Sequence, residues 1–289
     1  MSHILLTGIV VLDIINQLDS YPREDSEVRA IKQQIRRGGN ASNTATVLSQ
    51  LGHNCTLAAS LSNDPSGHFL INDLDENSIQ LALTITAQEY TSPTSYITLN
   101  IQNGSRSIIH YRNLPELSFD QFDKIDLKPF DWYHFEGRNI NQTSKMMQKT
   151  KPLNKIISLE IEKDRDNIDA LISFANIVIF SRPFAQSRNF LEAGDCLKYF
   201  NSIYPDKLLV CTWGTDGAFA MQNTNAFFSP AYYIEKATDT IGAGDTFNAG
   251  FIHAQLNKIS IHDSLVYACK LAGLKCAKSG LDNLEVLNV

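Results

Sequence analysis

The chain has 289 residues, 43% of them hydrophobic and 19% charged, with a formal net charge of -6 and a pI near 5.6. That length and apolar content predict one globular domain over residues 1–289 with an ample core. The acidic balance argues against nucleic acid or an anionic membrane as the main partner, since either favours a basic surface. The five cysteines form no C-x-x-C pair and sit mostly among apolar neighbours, so reduced core thiols are expected. The chain begins directly on a strand-like run with no basic leader and has no stretch long enough to span a membrane, which predicts a cytoplasmic protein.

In chain order, the apolar run from Ile4 to Ile15 predicts a first strand with Asp13 at its end. Residues 13–37 are polar and extended, with Tyr21-Pro22 followed by the charged run Arg23 to Glu27. Ala41, Thr44, Ala45, Leu48 and Leu51 share one helical face, which Gly52 ends. Strands follow at Thr56–Leu61, Trp132–Phe135, Ile156–Ile161, Ile177–Phe180 and Leu208–Thr212, most leading toward a helical pattern. Between them, Ser95–Gln102 and Ser105–Arg112 read as a hairpin turning at Asn103-Gly104. A last apolar stripe joins Leu265, Ala268, Cys269, Ala272 and Cys276. The alternation predicts an α/β fold, a mostly parallel central sheet covered by helices on both faces. Residues 13–37 and 95–112 together predict a small β-sheet lid.

Two glycine-rich runs carry the chemistry. In Asp239-Thr240-Ile241-Gly242-Ala243-Gly244-Asp245-Thr246-Phe247 the glycines permit a tight turn that brings amides close to a ligand, just before helical spacing. That describes an anion cradle at a helix N-terminus. A carboxylate set into such a turn repels phosphate unless it has chemistry to perform, and Asp245 suits a base that takes a hydroxyl proton. Taken alone, a Gly-x-Gly run is more often only a tight turn. The second run, Gly38-Gly39-Asn40-Ala41-Ser42-Asn43-Thr44-Ala45, opens a helix with two Asn side chains able to bond a polyol; in isolation it reads more readily as a glycine turn with an Asn-capped helix.

The two runs together resemble the C-terminal and N-terminal signatures of the ribokinase (PfkB) family of carbohydrate kinases. The resemblance implies a ribokinase-like three-layer sandwich, Asp245 as catalytic base, and Gly242, Ala243, Gly244 and Asp245 as the anion hole for ATP. It implies sugar contacts from Asp13, Gly39, Asn40 and Asn43. Tyr21 to Arg29, Arg37 to Asn43 and His134-Phe135-Glu136-Gly137-Arg138-Asn139 look like the ketohexokinase branch in the same order along the chain. That branch adds Asp25, Arg106, Glu136 and Arg138 to the sugar site and implies the C1 hydroxyl of fructose as acceptor. Ribose, 2-keto-3-deoxygluconate, a nucleoside, or a non-catalytic sugar-binding regulator on the same fold stay open as alternatives.

Val210 to Ala218 resembles the family's nucleotide strand and turn, which implies Gly217 near the nucleotide and Ala272 and Cys276 as an apolar wall for adenine. Trp213 departs from the smaller residue usual there. The family's Asn-x-x-Glu motif is replaced by Ser181-Arg182-Pro183-Phe184-Ala185-Gln186, so the ligands of Mg2+ stay unassigned, with Glu160 and Glu162 as outer-shell candidates. The resemblance also implies a monovalent cation such as K+ as a further cofactor, and a homodimer through the lid.

Overall fold

The computed structural model describes residues 1–83, 86–87 and 89–284. In chain order the elements are β1 (His3–Thr7), β2 (Val11–Leu18), β3 (Lys32–Gly38), α1 (Asn40–Gln50), β4 (Asn54–Ala58), β5 (Leu61–Ser62), α2 (Pro65–Glu76), β6 (Ile79–Leu81), β7 (Thr86–Ala87), β8 (Thr94–Asn100) and β9 (Arg106–Tyr111). There follow α3 (Phe119–Phe122), β10 (Trp132–Glu136), α4 (Ile140–Thr150), β11 (Ile156–Ile161), β12 (Ile177–Phe180), α5 (Arg182–Ser187), α6 (Ala193–Ile203), β13 (Leu208–Thr212), β14 (Ala218–Gln222), β15 (Asn225–Ser229), α7 (Ala243–Leu256) and α8 (Ile261–Cys276).

Nine strands form the main sheet in the order β15-β14-β13-β12-β11-β10-β1-β4-β6. From β13 to β6 every pairing is parallel, and β14 and β15 are antiparallel additions at one edge. Side chains of a strand alternate between faces, so β1 divides its apolar residues. Ile4 and Leu6 join the core under α1, α7 and α8, while Leu5 joins the opposite core with Phe135, Leu159 and Phe180. Burial on both faces is what the near-continuous apolar runs of these strands require.

A separate four-stranded sheet has the order β3-β2-β8-β9, with β2 and β8 parallel and the outer pairs antiparallel. The single strand expected from Ile4 to Ile15 is therefore two: the chain leaves the main sheet after Thr7 and enters the smaller one at Val11. Asp13 lies within β2 and does not end a main-sheet strand. The hairpin also turns differently from expectation. Leu99 is the last residue in register with β9, opposite Arg106, and Asn100 donates its amide to the Ser105 carbonyl, leaving Ile101 to Gly104 as the loop. The Asn100 and Asn103 side chains accept the amides of Gln102 and Ser105, so both asparagines act as turn residues. Residues 19–31, between β2 and β3, form an exposed connection.

Candidate active site

A cleft of about 680 Å³ opens between the C-terminal ends of the main-sheet strands and the smaller sheet. Open parallel sheets place ligands at that edge because the connections to their helices part there. Gly242, at φ 82°, caps α7 in the left-handed region, where a side chain would be strained. The turn aims the first amides of α7, with the positive end of its dipole, at the cleft. At Gly244 an added Cβ would meet no protein atom within 4 Å, so the backbone there is open to a ligand.

Asp245 follows in the first turn of α7, only 7% exposed yet lining the cleft. Asn43 of α1 donates to Asp245 Oδ2 at 2.7 Å, joining the two glycine-rich runs across 202 residues of sequence. Burial pushes the Asp245 carboxyl up to about 7; the Asn43 hydrogen bond opposes this, and Glu162, Glu136 and Asp13 add to it. A carboxyl with that value exchanges a proton near neutrality, as a general base must. The Asn43 Oδ1 is buried without a hydrogen-bond partner, which leaves an acceptor beside the base.

The smaller sheet supplies the facing wall. Arg36, Asp13, Ser95 and His110 stand opposite one another on its four strands, so the period of two brings them to one face. Burial raises Asp13 to about 6, against the lowering effect of the Ser95 hydroxyl, Arg36 and Arg37. Arg106, two rows further along, also lines the cleft and donates to Thr240 Oγ1 at 2.9 Å. From the other side, Asn40 donates to Glu160 at 3.2 Å and Glu162 at 3.3 Å, and Asn248, one turn after Asp245, donates to Glu160 Oε1 at 2.9 Å. Arg138 bonds Glu116 at 2.9 Å at the rim.

The structure thus brings Asp13, Gly39, Asn40, Asn43, Arg106, Arg138 and Gly242 to Asp245 to one cleft. It places five expected residues elsewhere. Asp25 is exposed in the connection between β2 and β3 and does not line the cleft. Glu136 lies beneath the floor: its carboxylate accepts the Ile9 amide at 3.0 Å and the Ala41 amide at 2.9 Å, holding the crossing into β2 and the start of α1. Gly217 is needed for packing, since a Cβ there would fall 2.1 Å from the Ser229 carbonyl. Ala272 and Cys276 are half-buried on α8, where the Cys276 carbonyl accepts the amides of Thr238 and Asp239. Trp213 is buried against the core with the Arg182 guanidinium 5.4 Å from its ring, so the bulky residue supports a cation at the cleft mouth. Sequence reasoning missed Asn248, Ser95, His110 and Arg182. Of these Asn248 was findable, because position i+3 from Asp245 shares its helix face.

A family model described as pfkB family carbohydrate kinase matches residues 1–286. The chain belongs to that family. It is 37% identical to mouse ketohexokinase over 98% of both chains, and 24% identical to an ATP-dependent ribose-1-phosphate kinase of Halopiger xanaduensis over 97% and 94%. Among solved structures, Arabidopsis thaliana ribokinase complexed with ribose and ATP superposes with a TM-score of 0.80 over 99% of both chains at 16% identity. Schistosoma mansoni adenosine kinase superposes at 0.82 and 18% identity over 97% and 96%. These superpositions establish the ribokinase fold, and family membership makes this pfkB kinase a sugar phosphotransferase with ATP as co-substrate. No helix among its described residues is long and apolar enough to cross a membrane.

Proposed function

We propose that this kinase transfers the γ-phosphoryl group of ATP to the C1 hydroxyl of fructose. The observation that carries the reading is the placement of Asp245: a buried carboxyl raised to about 7, inside an anion-binding helix turn and within one cleft with Asp13, Asn40 and Asn43. Asp245 takes the hydroxyl proton as the sugar oxygen bonds to the γ-phosphorus and the bond to the ADP oxygen breaks. The amides of Gly242 to Asp245 stabilise the charge on the phosphoryl oxygens. Asp13, Ser95 and Asn43 hold the other sugar hydroxyls, and similarity to ketohexokinase favours a ketose among acceptors.

Magnesium that accompanies ATP usually keeps several waters and needs few carboxylates. Glu162 fits that demand better than the buried Glu160, because it lines the cleft and is 39% exposed, with only the 3.3 Å Asn40 bond and an exposed Lys163 at 3.6 Å to exchange. The ion would neutralise charge on the transferring group. Residues 11–38 and 94–111 would act as the lid that excludes water from this single catalytic unit. Their outer face carries a row across all four strands, Ile35, Ile14, Tyr96 and Ile109, of which Ile35, Tyr96 and Ile109 are exposed. An apolar row of that kind supports a homodimer formed through the lids.

An ADP-release assay over ketoses, aldoses and nucleosides tests the acceptor. Fructose should give the highest kcat/KM, other ketoses should follow and nucleosides should be inactive. A tenfold advantage for ribose or adenosine would overturn the ketose reading and leave the kinase family intact.

A further inference from the structure

Lys275 is fully buried on α8, a placement lysine almost never takes without a reason, and its partners stand beside the phosphate cradle. Its ammonium donates to the Asp239 carbonyl at 2.6 Å and lies 3.3 Å from Asp239 Oδ2. The same oxygen is 3.0 Å from Arg36 of β3 and accepts the Gly280 amide at 3.1 Å, while Oδ1 accepts the Ile241 amide at 2.9 Å. Asp239 is therefore held by both its side chain and its backbone, three residues before Gly242. Burial pushes its carboxyl up, but Arg36 and Lys275 outweigh that and leave it below the ordinary carboxylate value. Burial likewise holds the Lys275 ammonium below its ordinary value, and Asp239 opposes that by favouring the charged form.

A buried ion pair is a poor device for stability, since desolvation offsets most of the attraction and an apolar residue of equal volume serves the core as well or better. What an ammonium does here, and an apolar side chain cannot, is fix a carbonyl and a carboxylate of one residue in the loop that leads into the anion hole. It also leaves Lys275, Arg36 and Asp239 with a net positive charge beneath that loop. Resting on the kinase reading, we propose that Lys275 is a positioning residue for the phosphate cradle: its ammonium locks the 239–241 segment so that the Gly242 to Gly244 amides are set for the transferring phosphoryl group. Arg36 brings the smaller sheet into the same clamp, and Arg106 reinforces it through Thr240.

Lys275→Met removes the charge at nearly constant volume. It should lower kcat by about 10²-fold, the scale of a misplacement of about 1 Å at a reacting centre, while the KM for the sugar changes less than threefold. A structural role alone would not predict chemical rescue. In Lys275→Ala, propylammonium at tens of millimolar should restore kcat at least fivefold, and 1-propanol, similar in shape without the charge, should not. If Lys275→Met does not fold, Lys275→Gln, whose amide still donates to the Asp239 carbonyl, carries the kinetic comparison. A normal kcat, a loss expressed mainly in the sugar KM, or rescue by propanol equal to that by propylammonium overturns the proposal. Should the wild-type protein phosphorylate no sugar, the kinase reading fails by itself. The clamp is then read from pyrophosphate affinity by calorimetry, which must still fall at least tenfold in Lys275→Met or the clamp is refuted too.

Discussion

Replacing Asp245 with Asn separates what the base does for catalysis from what it costs the fold. The carboxyl is raised from 3.8 to about 7, chiefly by burial. Between those values the folded state binds a proton that the unfolded state has released, so wild-type stability falls as pH rises from about 4 to about 7 and then levels off. At 1.36 kcal/mol per unit, the full shift corresponds to at most about 4 kcal/mol. Asn keeps an oxygen to accept the 2.7 Å hydrogen bond from Asn43 and has no charge to bury in either state. The variant should therefore be more stable than wild type at pH 8, and its advantage at pH 8 should exceed that at pH 5 by about 2.5 kcal/mol, or roughly 4 °C in Tm. Comparing the two pH values cancels any pH-independent difference between Asn and a protonated Asp. Turnover should fall by about 10²–10⁴-fold at the same time. Thermal melts at both pH values, with coupled ADP-release kinetics, measure the two effects on one preparation. Near-normal turnover, or a stability gap that does not widen with pH, would falsify the reasoning.

Asp13→Ala should weaken sugar binding by about 1–3 kcal/mol and leave ATP affinity nearly unchanged, because Asp13 stands on the smaller sheet and not at the α7 turn; calorimetry with each ligand separates the two. Glu136→Gln can no longer accept both the Ile9 and Ala41 amides through oxygens, so it should lower stability by about 1–3 kcal/mol in denaturant melts, and an unchanged midpoint would contradict the anchoring role. For the wild type, kcat/KM should fall about tenfold per unit as pH drops below about 7, since the base must be ionised, and a profile flat down to pH 5 would remove Asp245 from that role. Lid pairing predicts that the wild type runs as a dimer by light scattering and that Ile109→Glu, at a position 73% exposed on the outer face, runs as a monomer; a monomeric wild type would contradict it.

The sequence by itself determined the features that are local in the chain. The turn at Gly242 to Asp245 and the helix opening at Asn40 depend on contiguous backbone, and the alternation of apolar runs with helical stripes is enough to specify a parallel sheet with a core on each face. Cross-strand rows required the tertiary structure, because only pairing register places Arg36, Asp13, Ser95 and His110 side by side. The crossing between β1 and β2 was marked in the sequence only by Thr7-Gly8 between two apolar stretches, since both sheets bury the same residue types there. Glu136 shows a second limit: a carboxylate at the end of a strand reads alike whether it meets a ligand or two backbone amides, and only its surroundings distinguish them. The raised carboxyl of Asp245 and the clamp of Lys275 on Asp239 were decided by folding too. Both come from removing charges from water, and which charges are removed, and beside which partners, is set by contacts between segments far apart in the chain.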